Sequence, residues 1–98
     1  MGRPEGRVEN HLSEQVKAAG GMCLKLSASI TNGVPDRVVI LPTSGTCFVE
    51  TKAPGGVLSK LQIVRHEQMR AAGAKVYVAT SRKAVDDLIN TLTRGRHP

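Results

Sequence analysis

Apolar residues recur at Val8, Leu12, Val16 and Ala19, a helical spacing that predicts a first helix over Arg7–Ala19, stopped by Gly20-Gly21. Met22–Leu26 reads as a short strand, and the Ser, Thr, Asn, Gly and Pro of Ser27–Pro35 as a loop. Val38-Val39-Ile40-Leu41 is an unbroken aliphatic run, the pattern of a strand buried on both faces. Pro42-Thr43-Ser44-Gly45 turns the chain, Thr46–Lys52 returns as the hairpin partner, and Ala53-Pro54-Gly55-Gly56 forms a second loop. A helix begins at Ser59 and ends at Gly73, and Lys75–Ala79 is a strand. Val85, Leu88, Ile89 and Leu92 then mark the apolar stripe of a last helix, before a basic tail at Arg94–Pro98. The order is α-β-β-β-α-β-α. The strand at 46–52, the helix at 59–72 and the strand at 75–79 make a β-α-β unit, so those two strands should run parallel with a right-handed crossover. The expectation is an α/β fold: a small mixed sheet flanked by helices.

Length narrows this further. Ninety-eight residues make one domain, 1–98, with a core over about 7–93. A domain of this size buries only about 60–65% of its unfolded surface, so its stability is modest and a second copy would help. No apolar run reaches the roughly 20 residues that span a membrane. The polar start, Met1-Gly2-Arg3-Pro4-Glu5-Gly6-Arg7, lacks the apolar centre of a signal peptide. A soluble, intracellular protein is expected.

Fourteen Lys and Arg against eight Asp and Glu give a net charge of +6, which favours a polyanionic partner without naming one. Phe48 and Tyr77 are the only aromatics, so base-stacking platforms are nearly excluded and nucleic acid would be gripped by its phosphates. Cys23 and Cys47, both in predicted strands, read as reduced, buried thiols. With His11, His66 and His97 they match no zinc spacing.

The chemistry gathers between Gly33 and Lys52. Asp36 follows Pro35 at the mouth of one strand, and Glu50 and Lys52 lie in the next, on one strand face because side chains alternate. On its own, Asp36 is a turn residue. Glu50 is harder to dismiss, since a carboxylate within Cys47-Phe48-Val49-Glu50-Thr51 is costly to bury unpaired. Lys52 offers a salt bridge, but a buried pair gains little net stability, and with Asp36 beside it a site for a hard cation such as Mg²⁺ explains it better. Metal-assisted phosphodiester hydrolysis is the chemistry suggested. Glu9, at the edge of the first helix's apolar stripe, fits a ligand or a solvated flank equally; Glu14 belongs to a polar face. In Ser59-Lys60-Leu61-Gln62 the glutamine fits a capping box, yet the first turn of that helix could border the site. His66, one turn further along, is a candidate DNA contact or a plain surface histidine.

Glu9 in an opening helix ended by Gly20-Gly21, Lys25, Gly33-Val34-Pro35-Asp36-Arg37, Phe48-Val49-Glu50-Thr51-Lys52-Ala53, Ser59-Lys60-Leu61-Gln62 and Gly73-Ala74-Lys75-Val76-Tyr77-Val78 together resemble the VRR-NUC domain. This is the virus-type replication-repair nuclease branch of the PD-(D/E)xK superfamily, and the likeness runs from about Val8 to Ser81. It implies a restriction-endonuclease-like core and Mg²⁺- or Mn²⁺-dependent cleavage of DNA. It carries a metal role to Glu9, Asp36 and Glu50, a catalytic role to Lys52, and a site-completing role to Gln62, overriding what pattern alone says of Asp36, Glu9 and Gln62. Thr51 departs from the family, where an aliphatic residue is usual; its carbonyl can still reach a metal. DNA contacts are expected from Lys25, Arg37, Lys60, Arg65 and His66. Stand-alone members of phage and bacterial type are similar to Holliday-junction resolvases and act as homodimers, which points to the cytoplasm of a bacterial or phage-infected cell. A structure-selective endonuclease for branched DNA is the leading reading. A catalytically silent DNA-binding module, a flap- or nick-directed nuclease and a site-specific restriction enzyme are the alternatives.

Overall fold

The computed structural model of the chain describes residues 4–27 and 32–94, with side chains from Gly6 onward. Part of the predicted 27–35 loop, and the basic tail beyond Arg94, lie outside the described residues. The elements are α1 (Pro4–Ala18), β1 (Met22–Lys25), β2 (Arg37–Leu41), β3 (Gly45–Thr51), α2 (Lys60–Ala71), β4 (Val76–Ala79) and α3 (Arg82–Arg94), in the expected order. Helix α1 begins three residues before the predicted Arg7, because Pro4 needs no hydrogen-bond partner in a first turn and its φ already suits a helix. At the other end Gly20 takes φ 85°, its N–H donates to Lys17 O at 3.0 Å, and Gly21 N–H donates to Val16 O at 2.9 Å. Those two bonds close a Schellman turn and satisfy carbonyls the helix leaves open.

The sheet order is β1-β2-β3-β4. The first two pairings are antiparallel, and β3 runs parallel to β4 across the α2 crossover. One face of this sheet is the core. Val39, Leu41, Cys47, Val49 and Ala79 meet Val8, Leu12 and Val16 of α1 and Val85, Ile89 and Leu92 of α3. Both helical stripes therefore bury the side the spacing predicts. Cys47 is buried, Cys23 is half-buried, and both are free thiols.

The opposite face corrects the reading of β2. Val39 and Leu41 are buried, but Ile40 is 36% exposed, so the strand is covered on one side only. Two of the three helices sit on the core face. The remaining helix, α2, packs against β4 and leaves Met22, Leu24 and Ile40 of the β1–β2 half exposed. An unbroken aliphatic run does not distinguish a strand between two layers from one whose outer face awaits another surface.

Candidate active site

The β2–β3 ladder ends at the pair Arg37↔Val49, so one more step sets Asp36 directly across from Glu50. The two residues interlock there. Asp36 N–H donates to Glu50 Oε1 at 3.2 Å. Thr51 returns two bonds to the Asp36 carboxylate, from its N–H to Oδ1 at 3.0 Å and from its hydroxyl to Oδ2 at 2.7 Å. Asp36 is thus held by the neighbouring strand, and its carboxylate does not close a turn.

Glu50 is 6% exposed, and its second oxygen is the meeting point of the site. Gln62 Nε2 donates to Oε2 at 3.2 Å, and Lys52 Nζ lies 3.6 Å from the same atom. Gln62 performs both roles between which pattern had to choose. Its Oε1 accepts from Ser59 N–H at 2.9 Å while its own N–H donates to Ser59 Oγ at 3.1 Å, completing the capping box. The cap takes the amide oxygen, which leaves the NH₂ facing Glu50. Gly33 makes this placement feasible: it sits at φ 84°, and a Cβ there would lie 2.8 Å from Leu61 O, so only glycine lets the loop lie this close to α2. A cleft of about 230 Å³, lined by Asn32, Gly33, Asp36, Glu50 and Gln62 among others, opens onto the pair.

Electrostatics match this geometry. Burial raises the Asp36 pKa, and the two Thr51 bonds pull it back in part. Burial also raises Glu50, with the Asp36 charge adding to it and Lys52 opposing. Two carboxylates brought together out of water form a site short of positive charge. That donor set of hard carboxylate oxygens fits a magnesium-like cation, which typically takes one or two carboxylates and completes its shell with water and substrate phosphate.

Other expected residues fall elsewhere. Glu9 does not join the pair: Arg37 holds it, with Nη2 at 2.9 Å and Nε at 3.0 Å from Glu9 Oε2. Among the described residues no three His, Cys, Asp or Glu side chains gather as a metal cluster. The same contact engages Arg37, a predicted DNA contact. Arg65 braces the glycine loop, donating to Asn32 O at 3.1 Å and to Gln68 Oε1 at 2.8 Å. Lys25, paired with Arg37 at the end of β1, and Lys60, the first residue of α2, are exposed. His66 corrects the sequence reading outright. It is 0% exposed, under α2, so it is neither a surface histidine nor able to touch DNA. Periodicity missed the Thr51 hydroxyl clamp. Thr51 does alternate away from Glu50, but Asp36 lies one step past the ladder, and its carboxylate folds back to the hydroxyl. Continuing the hairpin register to the 36/50 pair is the signal that would have found it.

A mixed four-stranded sheet with an acid pair, a lysine and a glutamine at its open end defines a small restriction-endonuclease-like α/β domain. Residues 6–83 match the VRR-NUC domain model, and the chain belongs to that family. It is 39% identical over 77 residues to "Putative nuclease p44" of Acyrthosiphon pisum secondary endosymbiont phage 1, a match covering 79% of this chain and 83% of that protein. A solved structure described as a VRR_NUC domain superposes with a TM-score of 0.83 at 40% identity, covering 91% of this chain and 97% of the other. Nucleases of this family are generally metal-dependent. No helix among the described residues is long and apolar enough to cross a membrane.

Proposed function

We propose that this chain, one nuclease domain over residues 1–98, is a divalent-metal-dependent DNA endonuclease that cuts branched DNA such as four-way junctions. The observation that carries the reading is the Asp36–Glu50 interlock, with Lys52 and Gln62 both directed at Glu50. Asp36, Glu50 and the Thr51 carbonyl would hold Mg²⁺ or Mn²⁺, and Glu9 would contribute through water because Arg37 holds its carboxylate. A bound divalent cation supplies an acidified water and neutralises charge on the phosphate. Lys52 orients the attacking water and places positive charge against the phosphate oxygens. Gln62 keeps Glu50 in one rotamer, since the cap fixes its own amide. Lys25 and Lys60, both exposed, take neighbouring phosphates.

A homodimer completes the proposal. Met22, Leu24 and Ile40, exposed on the open sheet face, give an apolar patch that a second copy would cover. A twofold axis would present two centres to the two strands of a symmetric junction. We place the protein in the cytoplasm of a bacterial or phage-infected cell.

Incubation with branched, flapped, nicked and linear DNAs, in Mg²⁺, Mn²⁺ or EDTA, tests the reading. Cleavage should need the metal and favour the four-way junction. Asp36→Ala and Glu50→Ala should abolish turnover and weaken metal binding, whereas Lys52→Ala should lose turnover and keep the metal, because an ammonium is not a ligand. Cleavage undiminished in EDTA would sink the metal proposal. A sedimentation mass of 10.5 kDa with full activity would replace the dimer, and with it the junction, by a monomer acting on flaps or nicks.

A further inference from the structure

Several basic residues are already engaged. Arg37 is neutralised by Glu9, Arg70 by Glu67, and Lys83 by Asp87, while Arg65 is spent on Asn32 O and Gln68. Arg7 and Arg82 are exposed and, like Lys17, Lys25, Lys60 and Arg94, make no side-chain ion pair or hydrogen bond among the described residues, but their placement sets these two apart. They come from distant parts of the chain yet line one notch of about 260 Å³ with Val8 and Pro54. A neighbouring depression, lined by the same two arginines with Asn10, His11 and Glu14, extends it along α1. Glu14 is the one carboxylate lining either depression, and His11 there is bonded to Asp86 at 2.7 Å.

The topology explains the placement. Strands β3 and β4 are parallel, so Thr51 and Ala79 end at the same edge of the sheet. Pro54 follows Lys52 by two residues, and α3 starts at Arg82 just past Ala79. The notch therefore lies on the α1–α3 side of the sheet end whose other side carries Glu50, Lys52 and Gln62. No carboxylate among the described residues lines the notch itself, so its two guanidinium side chains repel each other, and each offers forked donors that match a phosphate.

We infer that Arg7 and Arg82 form a binding notch for a backbone phosphate of the nucleic-acid strand that passes over the catalytic cleft. The inference rests on the nuclease reading and extends the substrate path around the sheet end, to residues that no motif marks. The test is fluorescence anisotropy of the full chain with a labelled four-way junction and a linear duplex, in EDTA, from about 50 to 200 mM salt. The Arg7→Gln/Arg82→Gln double variant should bind at least about tenfold more weakly and lose about 1 from the slope of log affinity against log salt, the share of one phosphate. Lys17→Gln/Arg94→Gln removes the same charge at the far ends of α1 and α3 and should keep the slope. Circular dichroism melts verify that both variants are folded. An unchanged slope in the arginine pair, or an equal loss in the control pair, overturns the inference. Competition by inorganic phosphate alone, with DNA affinity unaffected by the substitutions, also overturns it, since the notch would then hold a free anion. If the wild-type chain neither binds nor cleaves any DNA in Mg²⁺, the nuclease reading fails as well. If it cleaves and the arginine pair binds normally, the notch alone is wrong.

Discussion

The two faces of the sheet are built by different physics. On one, α1 and α3 bury Val8, Leu12, Val16, Val85, Ile89 and Leu92 against the strands, and dispersion and the hydrophobic effect hold the layers together. On the other, α2 leaves Leu61, Ile63 and Val64 exposed, and its one buried side chain is His66. Polar contacts hold this helix: Gln62 to Glu50, Arg65 to Asn32 O, and Arg70 to Val76 O at 2.9 and 3.2 Å. The closed face supplies stability, and the open face carries the candidate chemistry. One consequence is that α2 and the acid pair share a contact, so anything that shifts the helix shifts Glu50.

The contrast breaks most clearly in stability. Leu12→Ala, at 0% exposure in the core, should cost about 2–5 kcal/mol in chemical denaturation. Ile63→Ala, on the half-exposed side of α2, should cost under about 1 kcal/mol. Equal losses would mean that the open face is packed as tightly as the closed one.

A smaller effect is expected at the acid pair. Thr51→Val preserves shape but removes the hydroxyl that fixes Asp36 Oδ2. Titration calorimetry with Mn²⁺ should show affinity weakened about 10–100-fold, with Thr51→Ser restoring it. Native affinity in the valine variant would show that the backbone N–H alone positions the carboxylate.

The smallest effect concerns His66. Neither ring nitrogen has a hydrogen-bond partner among the described residues, and burial, with Arg70 and Lys52 nearby, lowers its pKa below the ordinary 6.5; Glu67 opposes weakly. Between the lowered folded value and 6.5 the unfolded chain binds more protons, so stability is full above about pH 6.5 and is lost as pH falls. The carboxylates slope the other way. Asp36 and Glu50 are raised, so ionising them costs stability as pH rises through their folded values. Comparing melts of wild type and His66→Leu from pH 5 to 8 isolates the histidine contribution. Parallel curves would mean that the ring is not held neutral.

Much of this molecule follows from local pattern. The stripes Val8-Leu12-Val16 and Val85-Ile89-Leu92 identified the helices and the sides they bury, since the 3.6-residue repeat reports a helix's own apolar face. The β-α-β spacing set the parallel β3–β4 pair, and the alternation of Glu50 and Lys52 placed both on one strand face. What the pattern misread or left undecided always involved two elements at once. Whether β2 is covered on its second face depends on where α2 lands, and whether Glu9 is free depends on the reach of Arg37. Gln62 could cap, or serve Glu50, until the geometry let its two amide ends do both. His66 reads as polar at a helix position, yet the turn it occupies is pressed against the sheet. Periodicity is a property of one segment, whereas register, burial and the partner of a charge belong to pairs of segments, and only the packed chain decides those.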